Sequence, residues 1–306
     1  LDSSRTLLVI DEIQELNRRH LDNVGNLLSE ISNIKSSVLI MVRAPSPFKE
    51  LLNFESIRLD GLHYDDARAI LPSDLDEKSA FKIAESLGGH PLALHLWSPE
   101  EEIPEKVEAV QEYVRSTVIK RLSDEGLETL DELSISPIPL NFDELFFPLG
   151  ANELDNSAIL RWKNSEIEPH HLIRNVRKND ISTKNLKKLN SQMAKKWSTR
   201  QGHKAKRIEA HFYLNSGKDI DTEWLISNIS EIMNQDSAAA AIIIEQAIEL
   251  SNDSSLRETA SDIALERGET DIANLHIDSL PEGPNKKLRK ARLARIKGNS
   301  KLAEKL

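Results

Sequence analysis

Unbroken strand-type apolar runs are confined to the start of this chain, and that restriction shapes every fold open to it. Leu7, Leu8, Val9 and Ile10 run without a polar break into Asp11 and Glu12. Val38 to Val42 form a second run, ended by Arg43 and the breaker cluster Ala44-Pro45-Ser46-Pro47. Continuous rather than alternating runs are the pattern of strands buried on both faces of a parallel sheet. Between them Leu21, Val24, Leu27, Leu28, Ile31 and Ile34 fall at helical spacing, and Ser56 to Leu59 is a third strand candidate. Strand, helix, strand predicts an α/β domain of which the chain holds the latter half.

From His63 onward the periodicity is helical: Asp65 to Leu71, Asp76 to Leu87, a Gly88-Gly89 break, then a short apolar segment from Pro91 to Trp97. An acidic, proline-flanked linker, Ser98 to Glu105, precedes an amphipathic helix expected over Val107 to Leu122. Its buried face is read as Val110, Tyr113, Val114, Thr117, Val118 and Arg121. Short helices are expected over Gly126 to Leu133, Phe142 to Leu149 and Glu153 to Trp162. Ser165 to Val176, with Ile167, His171 and Ile173, reads as a strand or wing rather than a helix. Small helices followed by a hairpin predict a winged-helix module.

After about Ser182 the pattern is helical again and echoes itself. Leu265 to Ala273 and Arg295 to Ala303 share a glycine, a polar residue and an alanine in register, with Gly268 and Gly298 separated by 30 residues. Tyr213 to Asp219, around Gly217, is a degenerate earlier copy. Glycine supplies the left-handed cap that ends one helix, and the small alanine lets the next pack closely, so stacked helical hairpins are expected. Such stacks build concave surfaces that bind proteins.

The chain has 306 residues and a formal net charge of -10, which suits two or three domains with cores of their own. It contains no cysteine, which excludes disulfides, thiolate zinc sites and a cysteine nucleophile and fits a cytoplasmic setting. The longest purely apolar run, Ala238 to Ile244, is far below the roughly 18 residues a membrane span requires. The chain opens at Leu1, not methionine, and is read as a fragment. No HExxH, GxSxG or comparable constellation marks a second active site.

Asp11-Glu12 at the tip of an apolar strand is a Walker B arrangement. The strand tip holds one carboxylate where Mg2+ and nucleotide phosphates arrive, and the next can orient or deprotonate an attacking water. Arg43 ends the neighbouring strand, where a cation can sense a γ-phosphate.

Here the chain resembles the signal-transduction P-loop ATPases with numerous domains. Leu7 to Glu12 look like Walker B, and Val38 to Arg43 look like the sensor-1 strand. Arg58-Leu59-Asp60-Gly61-Leu62 with Asp65-Asp66-Ala67 is similar to the last core strand and lid entry. Leu87-Gly88-Gly89-His90-Pro91-Leu92-Ala93-Leu94 resembles the GxP motif, with Gly89 and Pro91 in its fixed places. Glu168-Pro169-His170-His171-Leu172-Ile173-Arg174 resembles the histidine motif of the following winged helix.

The resemblance implies an α/β plus all-α chain. It consists of a partial P-loop core over 1–62, a helical lid over 63–98, a winged helix over 106–178 and TPR-like repeats over 182–306. It implies an ATP/ADP-dependent signalling switch in which Asp11 supports Mg2+ through water, Glu12 activates water and Arg43 senses the γ-phosphate. Pro91 would pack beside adenine, with Gly89 in the same motif, and His170 would reach the phosphates of ADP. It also implies a protein or effector bound by the repeats and self-association on activation.

The departures are equally specific. No Gly-x-x-x-x-Gly-Lys-Ser/Thr loop occurs, and the one Gly-Lys pair, Gly217-Lys218, has Phe212 where the first glycine is required. These 306 residues alone are therefore expected not to hydrolyse ATP. Met41-Val42 replace hydroxyl residues common before the arginine, and His171 stands where many members have aspartate.

Charge separates along the chain. Arg161 to Ala210 hold 14 Lys and Arg against 4 Asp and Glu, whereas Ser98 to Leu160 hold 4 against 15. A basic stripe beside a winged helix could meet nucleic-acid phosphates. The expected recognition segment, Asn152 to Leu160, carries Glu153 and Asp155 and no cation, so duplex readout there is disfavoured. The alternative to the switch is a non-catalytic repeat scaffold or a winged-helix transcription regulator.

Overall fold

The computed structural model describes residues 6–11, 13, 16, 20–32, 37–42, 55, 57, 59–99 and 110–305. The chain divides into two compact units, Leu1–Asp60 and Gly61–Leu306.

In the first unit, β1 (Leu7–Ile10) and β2 (Ser37–Ile40) pair in parallel, Leu7 opposite Ser37 and Ile10 opposite Ile40. The helix α1 (Leu21–Ser32) joins them, as a parallel pair requires a crossover. Leu28 and Ile13 are buried among Leu8, Ile10, Val24, Val38 and Ile40. Two-sided burial was expected of these strands. Instead the side chains alternate, one face packing inward while Leu7, Val9 and Leu39 lie exposed on the other, because among the described residues one helix covers one face. Part of the third strand candidate, Ser56 and Arg58, lies outside the described residues, as do Glu12 and Arg43.

The second unit opens with α2 (Tyr64–Ile70), α3 (Glu77–Ser86) and α4 (Pro91–Leu96). Asp76 caps α3 through the Ser79 N–H. The next helix, α5 (Val110–Tyr113), widens into a π-helical stretch over Val114–Ile119. That extra residue per turn rotates the buried face: Tyr113, Val114, Val118, Ile119 and Leu122 are buried, while Arg121, expected inside, is exposed. α6 (Asp124–Ile135) follows, capped by Ser123.

A three-stranded antiparallel sheet has β5 (Glu166–Pro169) between β3 (Leu140–Asn141) and β4 (Leu160–Lys163). Three expectations are corrected here. Phe142–Leu149 forms only a 3-10 turn at Phe142–Glu144, because the Glu132 carboxylate takes the N–H groups of Phe146 and Phe147 at 2.9–3.0 Å. Glu153–Trp162 is not one helix: α7 (Ala151–Asn156) ends at Ala158, whose φ of 52° turns the chain into β4. His171 and Ile173 are helical, in α8 (His171–Asp180), the strand having ended at Pro169.

The remainder is helical: α9 (Thr183–Trp197), α10 (His203–Leu214), α11 (Thr222–Met233), α12 (Ser237–Leu250), α13 (Ser254–Glu266), α14 (Thr270–Ser279), α15 (Pro284–Ile296) and α16 (Ser300–Lys305). Gly217, Gly268 and Gly298 take φ of 71°, 72° and 78° at the expected turns. After Gly268 the Glu269 N–H bonds the Ala264 carbonyl, and after Gly298 the Asn299 N–H bonds Ala294, so the two copies end their helices identically. Helices, mostly two apart in the chain, are tied by Arg207 to Asp236, Gln246 to Asn215, Arg267 to Ser237, His276 to Glu245 and Arg292 to Asp262. These partners lie 29, 31, 30, 31 and 30 residues apart, so polar links repeat with the sequence echo.

Candidate functional site

Asp11 directly follows the last residue of β1 and is exposed, where a strand-end carboxylate can meet a ligand. Among the described residues no group of three His, Asp or Glu side chains could by itself hold a metal ion.

In the second unit the Gly88-Gly89 break is a built turn. Both glycines are left-handed, with φ of 60° and 63°, and the Gly89 N–H returns to the Ala84 carbonyl to close α3. The Gly61-Leu62 backbone lies against it. Leu62 N–H donates to the Gly89 carbonyl at 2.8 Å, and a Cβ on Gly61 would strike the Gly88 carbonyl. A Cβ on Gly89 would strike the Leu62 carbonyl in turn. Two motif fragments nearly 30 positions apart in sequence are thus one backbone-to-backbone contact that admits only glycine. Gly61 was not singled out for this role; its place in an Asp-Gly pair was the available signal.

This turn launches α4. His90 caps it, its Nδ1 accepting from the Ala93 N–H at 3.4 Å, and burial lowers its pKa. Pro91 occupies the first helical turn, where its fixed φ and missing N–H cost nothing. Ala93, Leu94 and Leu96 face the core, while Pro91 and His95, one turn apart, are exposed.

His170 sits between β5 and α8, its N–H donating to the Ile159 carbonyl at 3.0 Å. Its ring is half-buried, and burial lowers its pKa below 6.5, helped by the nearby Arg161, His95 and His171. His95 on α4 is thus among the groups that act on the His170 ring. His95 was missed by the sequence reading, although its spacing from Pro91 put both on one helical face. Arg161 on β4 bonds Glu168 at 2.9–3.0 Å and His171 Nε2 at 2.7 Å, so His171 is a neutral acceptor that braces the hairpin. The aspartate-to-histidine departure is thereby accommodated with an arginine partner.

The fold matches a solved structure. Over 98% of this chain and 54% of the other, with a TM-score of 0.54 and 17% sequence identity, it resembles a Signal Transduction ATPase with Numerous Domains (STAND) protein with a tetratricopeptide repeat sensor from Pyrococcus horikoshii. The resemblance is borne out at the level of the fold: a mostly helical chain with small sheets and helical repeats, like that solved structure. The chain spans about half the length of that protein. No protein-family model matches it, and no curated protein sequence does either. No described helix is long and apolar enough to cross a membrane.

Proposed function

We propose that this chain is the lid, winged-helix and sensor portion, with part of the P-loop core, of an ATP/ADP-dependent regulatory switch. The observation that carries this reading is the STAND-type fold shared along 98% of the chain. The apolar strand pair with one exposed face is read as part of a larger parallel sheet, the β3-β5-β4 sheet with α6 to α8 as the winged helix, and α9 to α16 as TPR-like repeats that sense a protein or effector.

The residues present fit a nucleotide. Pro91 offers an exposed, rigid apolar surface to adenine, and the half-buried His170 offers a ring N–H to phosphate. A Mg2+ ion held mainly by phosphates and water needs one or two carboxylates rather than a protein cage, which a single Asp11 satisfies. Bound ADP would supply the negative charge to which these groups respond. Burial disfavours the charged form of His170. A phosphate beside it would raise its pKa, so ADP affinity should strengthen as pH falls toward 6. His170→Gln should weaken ADP binding several-fold and flatten that pH profile; an unchanged profile by calorimetry overturns this role.

Glu12 is assigned to water activation and Arg43 to γ-phosphate sensing. In the natural protein Glu12→Gln should spare ATP binding and abolish hydrolysis, and equal turnover in mutant and wild type would overturn the assignment. Self-association on activation is expected to follow ATP, not ADP, in light scattering.

A further inference from the structure

The basic segment seen in the sequence resolves into two kinds of side chain. Most are consumed within the fold. Arg161 holds Glu168, Arg177 holds Asp131, Lys204 holds Glu144 and Glu166, Lys206 holds Glu209, and Arg207 holds Asp236. Arg174 donates to the carbonyls of Ser134 and Ser136, while Lys196 and Arg200 lie over the rings of Phe147 and Phe146.

What remains is concentrated on α9. Its 15 residues include no Asp or Glu, and Lys184, Lys187, Lys188 and Lys195 are exposed with no ion pair among the described residues. At 100° per residue Lys184, Lys188 and Lys195 fall within about 40° of one another, with Ser191 between them, and Lys187 flanks them over Gly217. At about 1.5 Å per residue the row from Lys184 to Lys195 runs roughly 16 Å, the rise of about five base pairs at about 3.4 Å each. The apolar side of the helix is engaged elsewhere: Met193 and Trp197 are buried, and Leu186, Leu189 and Ala194 pack on the same core.

We infer that this face of α9 binds the phosphate backbone of duplex nucleic acid, without reading its sequence. Protein partners are usually anchored by buried aromatic or aliphatic groups, and this face has none to offer. Single strands are gripped by stacking on exposed aromatics, which are also missing from it. A straight row of cations and one hydroxyl suits a ligand recognised by charge alone. The site is distinct from the segment around α7 that the sequence reading considered, whose Glu153 is occupied by Ser123.

The test is fluorescence anisotropy of a labelled 20-base-pair duplex with the 306-residue chain, without nucleotide, so that it stands or falls independently of the switch. Four phosphate contacts predict a log-log salt slope of about −3 to −4, hence roughly a hundredfold loss of affinity between 50 and 200 mM salt. The Lys184→Gln, Lys188→Gln, Lys195→Gln triple variant, which leaves the buried face intact, should bring the slope to about −1. Lys78→Gln, Lys82→Gln, Lys301→Gln, equal in charge change but elsewhere, should leave it unaltered. No binding at 50 mM salt, equal losses in both variants, or competition by polyglutamate as strong as by unlabelled duplex overturns the inference.

Discussion

Residues 110–200 and residues 203–305 use polar groups in opposite ways. In the first region they bracket loops across long stretches of chain: Glu132 receives the N–H groups of Phe146 and Phe147, Arg174 reaches Ser134 and Ser136, and Arg115 reaches Asp180. Glu132 is fully buried, and burial raises its pKa against the pull of those N–H groups and of Lys196 and Arg200. In the second region polar groups cap helices within a few residues or link one helix to its counterpart about 30 residues away. The lesson is that irregular backbone needs a buried acceptor, whereas the regular repeats are held by local helix caps, some at left-handed glycines, and by links between helices about 30 residues apart.

Substitutions can break that contrast, and the largest effect is expected at Glu132. Glu132→Ala strands two backbone N–H groups at about 1–3 kcal/mol each, so a loss of about 4 kcal/mol is expected in urea unfolding. A loss below about 1 kcal/mol would mean the loop finds other acceptors.

Next comes His211, where the two regions join. Burial, with Lys178, Arg174 and Arg207 nearby, pushes its pKa down to about 4. The folded pKa is below the unfolded one, so the unfolded chain takes up the proton first and stability is lost as pH falls from about 6.5 to about 4. That loss is up to about 3 kcal/mol. His211→Gln should remove this slope; an unchanged slope assigns it to other groups.

A smaller effect is expected at the glycine turns. Gly268→Ala meets nothing within 4 Å, so its cost is the left-handed backbone alone, about 1–2 kcal/mol. Gly217→Ala should cost about the same, because only the flexible end of the exposed Lys187 lies over it and can move aside. A clearly larger loss would show that the lysine is held in place. Smallest is Arg292→Ala, which removes one partner of Asp262 while Arg289 remains, at about 0.5 kcal/mol. A loss above about 2 kcal/mol would show that these links carry the array.

The same contrast governs what the sequence disclosed. The apolar runs of β1 and β2 and the glycine turns were legible, because β-branched runs and glycine at helix ends have few other uses. Ala158 and Asn164, with φ of 52° and 59°, were not, because each takes a conformation its neighbours impose rather than one it announces. Ala158 ends α7 as a glycine would, the Ile159 N–H returning to the Leu154 carbonyl. The π-helical turn likewise left no mark in the periodicity, so the inward face after Tyr113 was read one residue out of phase. The left-handed turn at Gly89 and the helix start at Pro91 were legible from the glycine pair and the proline that follows it. The proximity of His95 and the brace of Arg161 were hidden, since tertiary packing creates both.

The 30-residue rhythm of the links has a consequence for how the protein reaches its native state. Partners so close in sequence close short loops at little entropic cost, and chains dominated by such contacts fold quickly. Residues 203–305 can assemble hairpin by hairpin, each new helix docking on the one before it. The preceding region must wait until Asp180 exists before Arg115 can find it, 65 residues away. During synthesis, therefore, the loop-rich region is the slow step, and its exposed intermediates are where a chaperone would be needed.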